Sequence, residues 1–159
     1  MADKLGAAVI VSDDFYTGGT LTEWAKRNPK EKAEFVIDWK RIRNEALLPL
    51  KEGRTASWHP FNWQTFERLT EEPITLTPSK IVILDGAYSA RPELADLIDV
   101  SVLLQLPDPI RRQRLKEREG GSFVEEWHPV WDEAEDYYFT QIKPPETFDY
   151  IITRLTRGH

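Results

Sequence analysis

Four short apolar runs, each bounded by polar or acidic residues, set the strongest limit on what this chain can become. Ala7-Ala8-Val9-Ile10-Val11 runs into Ser12-Asp13-Asp14, Ile81-Val82-Ile83-Leu84 into Asp85-Gly86, and Val100 to Leu106 into Pro107-Asp108, while Tyr150-Ile151-Ile152 closes the series. Runs of this length are too short for core helices and too continuously apolar for strands with one wet face, so they predict buried strands entering polar loops.

Helical spacing fills the intervals. Trp39, Ile42, Ala46 and Leu50 recur on one face, with Asp38 as N-cap, Gly53 just past the end and Pro49 expected to kink the last turn. Asp108-Pro109 supplies an N-cap and an N1 proline for a helix reaching Gly120-Gly121. Ser122-x-x-Glu125 resembles a capping box for the next helix, which is expected to restart after Pro129. A strand is predicted around Ile74 to Leu76. It follows a loop, Trp58-His59-Pro60-Phe61-Asn62-Trp63, whose proline argues against a central strand. Strands alternating with helices predict an α/β fold on a parallel sheet. The 159 residues suit one domain, 1–159.

Composition narrows the function. A hydrophobic share of 40% with no apolar run near the roughly 20 residues of a membrane helix predicts a protein without a membrane partner. The net charge of −6 disfavours a nucleic-acid partner, since affinity for polyphosphate rests on accumulated Lys and Arg. No Cys is present, which removes disulfides and thiol chemistry, and with no signal-like apolar start the expected location is cytoplasmic.

Four constellations are candidates for chemistry. Asp13-Asp14-Phe15-Tyr16 sits at the carboxyl end of the first strand, where open α/β sheets bind ligands; a carboxylate there either accepts a proton from a substrate hydroxyl or caps the next turn. Asp85, after an apolar strand, has the look of an acid that reaches Mg²⁺ directly or through water, although many strands end in Asp. Arg111, Arg114 and Arg118 share one helix face, which is either a phosphate-binding surface or a solvated face paired with Glu117 and Glu119. Trp58, Phe61 and Trp63 either stack on a flat base, with His59 and Asn62 hydrogen bonding to it, or cover the sheet.

Read in order, Val-Ser-Asp-Asp-Phe-Tyr, the helix from Asp38-Trp39 to Leu48-Pro49-Leu50-Lys51-Glu52-Gly53-Arg54, Ile83-Leu84-Asp85-Gly86, the arginine helix and Phe148-Asp149-Tyr150-Ile151-Ile152 resemble a bacterial uridine kinase. The wider family includes phosphoribulokinase and pantothenate kinase. The resemblance implies a three-layer P-loop kinase-type parallel sheet flanked by helices, with a lid near 108–128. It implies ATP-dependent phosphoryl transfer to the hydroxyl of uridine or a related nucleoside, with Mg²⁺. By the same resemblance Asp13 orients or deprotonates the nucleoside hydroxyl, Arg111 and Arg114 are lid arginines, and Arg118 is a third that contacts the nucleotide. Asp85 and Asp14 are metal-side carboxylates, and Tyr16, Trp58, His59, Phe61 and Asn62 line the nucleoside site.

One family hallmark is not found. Such a kinase starts with a strand and G-x-x-x-x-G-K-[ST], yet no Gly-Lys pair occurs in these 159 residues. Ala2-Asp3-Lys4-Leu5-Gly6 resembles the end of the helix after that loop, so the chain is expected to lack the first strand and the phosphate loop. A start assigned too late, a shortened chain and a natural remnant that binds without catalysis all fit. The expectation is poor ATP turnover, with an apolar slot and unpaired strand edges that reduce stability or invite a partner. The residues leave open the oligomeric state and the choice among uridine, cytidine and other alcohols.

Overall fold

The structure, a computed structural model, describes residues 5–67, 69–119 and 121–153. They form two compact units, one holding the chain through Thr20 and then Ala33–Asp99, the other Leu21–Lys32 and the chain from Val100 onward.

In the first unit, strand β1 (Ala8–Val11) pairs in parallel with β4 (Val82–Asp85), in the register Ala8↔Val82 through Val11↔Asp85. Ile10 is fully buried in this ladder. A 3₁₀ turn, Ser12–Phe15, follows β1 directly. The predicted strand at Ile74–Leu76 (β3) is present, but its partner was not predicted: β2 (Ala56–Trp58) runs antiparallel to it, with Trp58 opposite Ile74. The strand ends before Pro60, so the proline limits it without preventing it. The described strands therefore form three two-stranded sheets, two parallel and one antiparallel, where a single parallel sheet was expected.

The helix after Asp38 shows how the sequence is obeyed and bent. The Asp38 carboxylate accepts from the Arg41 N–H at 3.1 Å, the predicted N-cap. Trp39–Arg41 is α-helical, Ile42–Leu47 widens to a π-helix, and Leu48–Lys51 returns to α. Pro49 offers no N–H and its ring crowds the carbonyl four residues back. The π segment just before it is where the backbone makes room, in place of a kink in the last turn. At the C-terminus Gly53 takes φ +73°, its N–H donates to the Leu50 carbonyl at 3.1 Å and the Arg54 N–H to that of Pro49 at 2.8 Å, a Schellman closure. Ile42, Ala46, Leu47 and Leu50 are buried and form the core with Phe15, Ala56, Trp58 and Leu94.

Residues 86–99 are held to this helix by charge. Arg43 makes a two-pronged bond to Asp96 at 2.7 and 2.6 Å, and Lys51 donates to the Asp96 carbonyl at 2.8 Å. The buried Arg91 guanidinium binds both Glu93 oxygens, at 2.9 and 3.0 Å, and lies 5.4 Å from the Trp39 ring.

In the second unit, β5 (Val102–Gln105) pairs in parallel with β6 (Tyr150–Thr153), from Val102↔Tyr150 to Gln105↔Thr153. These runs were expected to be buried. Val102, Leu104, Tyr150, Ile151 and Ile152 are instead exposed, because an apolar run records a capacity for burial and not its fulfilment. Asp149 clasps the ladder's start: its carboxylate accepts from the Ser101 N–H and hydroxyl, both at 2.7 Å, and its own N–H donates to that hydroxyl at 3.1 Å.

Helix α5 (Asp108–Glu119), which follows α1 (Leu21–Ala25), α2 (Pro29–Phe35), α3 (Trp39–Arg41) and α4 (Leu48–Lys51), starts one residue earlier than predicted. The Pro107 carbonyl takes the first helical bonds, from Ile110 and Arg111, both at 3.0 Å, which moves the cap from Asp108 to Pro107. Helix α6 (Gly121–Tyr137) continues through Pro129 instead of restarting after it. Trp131, Ala134 and Tyr138 lie beyond the proline on the packed side: Trp131 meets Trp24 at 5.3 Å, and Ala134 and Tyr138 are buried. This packing offsets the one backbone bond that the proline forfeits. The side chains of Ser122 and Glu125 lie outside the described residues. Lys32, buried, pairs with Glu133 of α6. No helix among the described residues is long and apolar enough to cross a membrane.

Two outcomes follow from these contacts. Gly86 has φ +129°, and a Cβ there would stand 2.0 Å from the Ser12 hydroxyl oxygen. Gly86→Ala is expected to lower stability by at least about 1–3 kcal/mol from backbone strain alone. In thermal melts, adding Ser12→Ala should recover part of the loss; a Gly86→Ala protein that melts like wild type contradicts the packing. The Ser101 N–H and hydroxyl hold the Asp149 carboxyl below its usual range. A depressed carboxyl stabilises the fold above its unfolded-state pKa and loses that contribution as pH falls through the folded value. Urea titrations over a pH series should show the wild type more stable than Asp149→Ala at neutral pH, with the gap closing in acid.

Candidate functional site

The parallel register brings two acid-bearing strand ends to one edge of the first unit. Val11 lies opposite Asp85, and the next residues on either side, Ser12 and Gly86, touch. Asp13 and Asp85 are exposed at this edge. Ser12 is fully buried, and its hydroxyl has no hydrogen-bond partner among the described residues.

Asp14 turns the other way. Its carboxylate accepts from the Trp58 indole N–H at 3.1 Å, and its carbonyl accepts the Phe61 N–H at 2.7 Å. Partial burial raises the Asp14 pKa, and the Trp58 bond opposes that rise. Mg²⁺ sites commonly use one or two carboxylates together with substrate phosphates. The exposed Asp85 carboxylate suits such a role, whereas Asp14 already serves an indole. Among the described residues no group of three or more His, Asp or Glu is placed to hold a metal.

Beyond Asp14 the aromatic loop forms a packed cluster. Trp58 is 2% exposed and lies 5.5 Å from Phe15; Phe61 is 5% exposed and meets Tyr16 edge-on at 4.8 Å. Trp63 stacks on Tyr16 at 5.1 Å and meets Phe66 at 84° and 5.5 Å. Trp63 and Phe66, 43% and 45% exposed, face outward, while buried Phe61 backs both and Tyr16 backs Trp63. Phe66 has φ +58°, an uncommon conformation for an aromatic residue, and no sequence signal marked it. Tyr16 donates its hydroxyl to the Gly19 carbonyl at 3.0 Å. His59 Nδ1 donates to the Thr70 carbonyl at 3.0 Å, leaving Nε2 for another partner. Asn62 Oδ1 accepts from the Gln64 and Thr65 N–H groups, so its amide nitrogen is the end left for recognition. Arg41, unnoticed in the sequence, binds both Glu45 oxygens and the His59 carbonyl and lies 5.3 Å from the Phe15 ring.

The fold that carries these residues is similar to that of a solved structure. The chain matches no protein-family model and no curated protein. Among solved structures it is similar to one described as that of a possible uridine kinase from Bacillus stearothermophilus, at 16% identity and a TM-score of 0.71, over 95% of this chain and 77% of that one. The fold is P-loop kinase-like. At this identity the likeness concerns the fold alone.

The three arginines lie in the second unit, on α5. Arg111 meets Glu135 at 3.0 Å, Asp108 at 3.5 Å and Asp132 at 3.8 Å, while Arg112 and His128 also contact Asp132, at 3.1 and 3.3 Å. Burial raises the Glu135 pKa, and the Arg111 charge opposes the rise. Arg114 and Arg118 are exposed. Arg111 thus ties α5 to α6, whereas Arg114 projects into solvent. Arg111→Ala is expected to cost about 1–3 kcal/mol of stability by stripping a charged hydrogen bond from half-buried Glu135. Arg114→Ala should stay within about 0.5 kcal/mol of wild type. Chemical denaturation of both variants checks this, and equal costs would contradict the assignment.

Proposed function

We propose that this chain belongs to the ATP-dependent phosphoryl transferases that act on the hydroxyl of uridine or a related small nucleoside, its residues working as one kinase-like domain with a lid near 108–128. The observation that carries the reading is the placing of Asp13 and Asp85 at one edge of a parallel strand pair, within a P-loop kinase-like fold. The finer architecture that goes with it is a three-layer parallel sheet of P-loop type.

Phosphoryl transfer asks for positioning and for neutralisation of charge, and little covalent chemistry from the protein. Asp13 orients the nucleoside hydroxyl and accepts its proton as the oxygen bonds to the γ-phosphorus and the bond from that phosphorus to the bridging oxygen breaks, ADP leaving. Asp85 would hold Mg²⁺, which would offset charge on the phosphates. Arg114 and Arg118 bind phosphate oxygens, and Arg111 joins them by exchanging a carboxylate for phosphate, an anion its guanidinium suits equally well. Trp63 and Phe66 present flat faces to the base, backed by Tyr16 and Phe61, while Trp58 holds the loop to Asp14 and His59 and Asn62 are at hand for hydrogen bonds.

The outward-facing rings Trp63 and Phe66 suit a second reading equally, a module that binds a nucleoside or nucleotide without chemistry. Calorimetry with uridine and with ATP·Mg²⁺, joined to transfer assays with γ-labelled ATP, separates the two. We expect uridine to bind and label to pass slowly to its hydroxyl, with Asp13→Ala abolishing transfer and sparing binding. Binding without transfer in the wild type selects the module. Absence of nucleoside binding removes the first reading, and absence of binding to both uridine and ATP·Mg²⁺ removes the second as well.

A further inference from the structure

Asp14 has a use that neither strand-end chemistry nor metal binding requires. It directly follows Asp13, and it holds the aromatic loop twice, by its carboxylate on the Trp58 indole at 3.1 Å and by its carbonyl on the Phe61 N–H at 2.7 Å. The turn that carries both acids is fixed from its other side, where the Phe15 carbonyl accepts the Asp38 N–H at 2.8 Å. The loop is braced by Arg41 on the His59 carbonyl at 2.9 Å. A displacement of the loop at Trp58 and Phe61 therefore reaches Asp13 through a single residue.

We propose that Asp14 is a positioning residue that couples the ring-lined loop to Asp13, so that nucleoside binding on the loop and placement of Asp13 are one event. This rests on the nucleoside reading given above, for which the loop is the binding wall. An Asn amide oxygen would still accept from the Trp58 N–H in the same place, more weakly than a carboxylate, so the coupling rests on geometry and survives loss of the charge. Asn at position 14 should then substitute for Asp, whereas Ala should not. Trp58→Phe removes the same bond from its other end while keeping a ring in the core.

The experiment measures uridine affinity by calorimetry and amide exchange at Phe61 in the wild type, Asp14→Ala, Asp14→Asn, Trp58→Phe and the Asp14→Ala/Trp58→Phe double variant. Loss of one hydrogen bond to a charged group corresponds to roughly tenfold weaker binding in Asp14→Ala and in Trp58→Phe. The double variant should be no weaker than Asp14→Ala, since both changes remove one interaction. Asp14→Asn should stay within about threefold of wild type. Exchange at Phe61 should accelerate in Asp14→Ala and stay slow in Asp14→Asn. Wild-type affinity in Asp14→Ala, or losses that add in the double variant, overturns the coupling. If the wild type binds no uridine, the nucleoside reading fails by itself. The tether is then judged by Phe61 exchange alone, and unchanged exchange in Asp14→Ala overturns it as well.

Discussion

The parallel ladder between Ala8–Val11 and Val82–Asp85 is the constraint on which the first unit's site depends. Parallel pairing sends both strands out at the same edge, so residues far apart in the chain bring Asp13 and Asp85 to that one edge. The ladder closes tightly there. Ser12 occupies the space where a side chain at position 86 would begin, and only glycine satisfies both the contact and the positive φ. From that edge the chain turns at once into Asp14, whose two bonds set where the aromatic loop lies.

Charge is used sparingly in an acidic chain. In a chain of net charge −6, several cations meet a carboxylate within the fold: Arg41 with Glu45, Arg43 with Asp96, Arg91 with Glu93, Lys32 with Glu133 and Arg111 with Glu135. Such pairs are worth little on the surface and more where burial shields them from water, as for Arg91 and Lys32. A cation already paired within the fold can still serve an incoming anion, but only by exchanging one carboxylate for another acceptor. Arg111 is in that position, whereas Arg114 needs no exchange.

The local signals in the sequence were read well where one residue settles the outcome. Asp38 caps its helix, Gly53 ends it, and strands stand at Ala8–Val11, Ile74–Leu76 and Val82–Asp85. Two of the misses share a cause. Strand β2 and the unbroken helix through Pro129 each reflect a tertiary partner outweighing a local preference, β3 for the first and packing around Trp24, Ala134 and Tyr138 for the second, whereas the π segment is the backbone's local accommodation of Pro49. Among the candidate site residues, Trp58 and Phe61 were legible as aromatic but not as buried rings. Phe66 was not legible at all, since its backbone conformation comes from how the loop closes.

By itself the sequence determined the strand-to-acid junctions, the helix ends and the content of the aromatic loop, because caps, glycines and apolar runs act over a few residues. The tertiary structure alone decided which acid faces outward and which serves an indole, which rings are exposed, and that Arg111 lies among three carboxylates. Those outcomes depend on contacts between residues about 20 to 70 positions apart, and only the folded packing settles such distances.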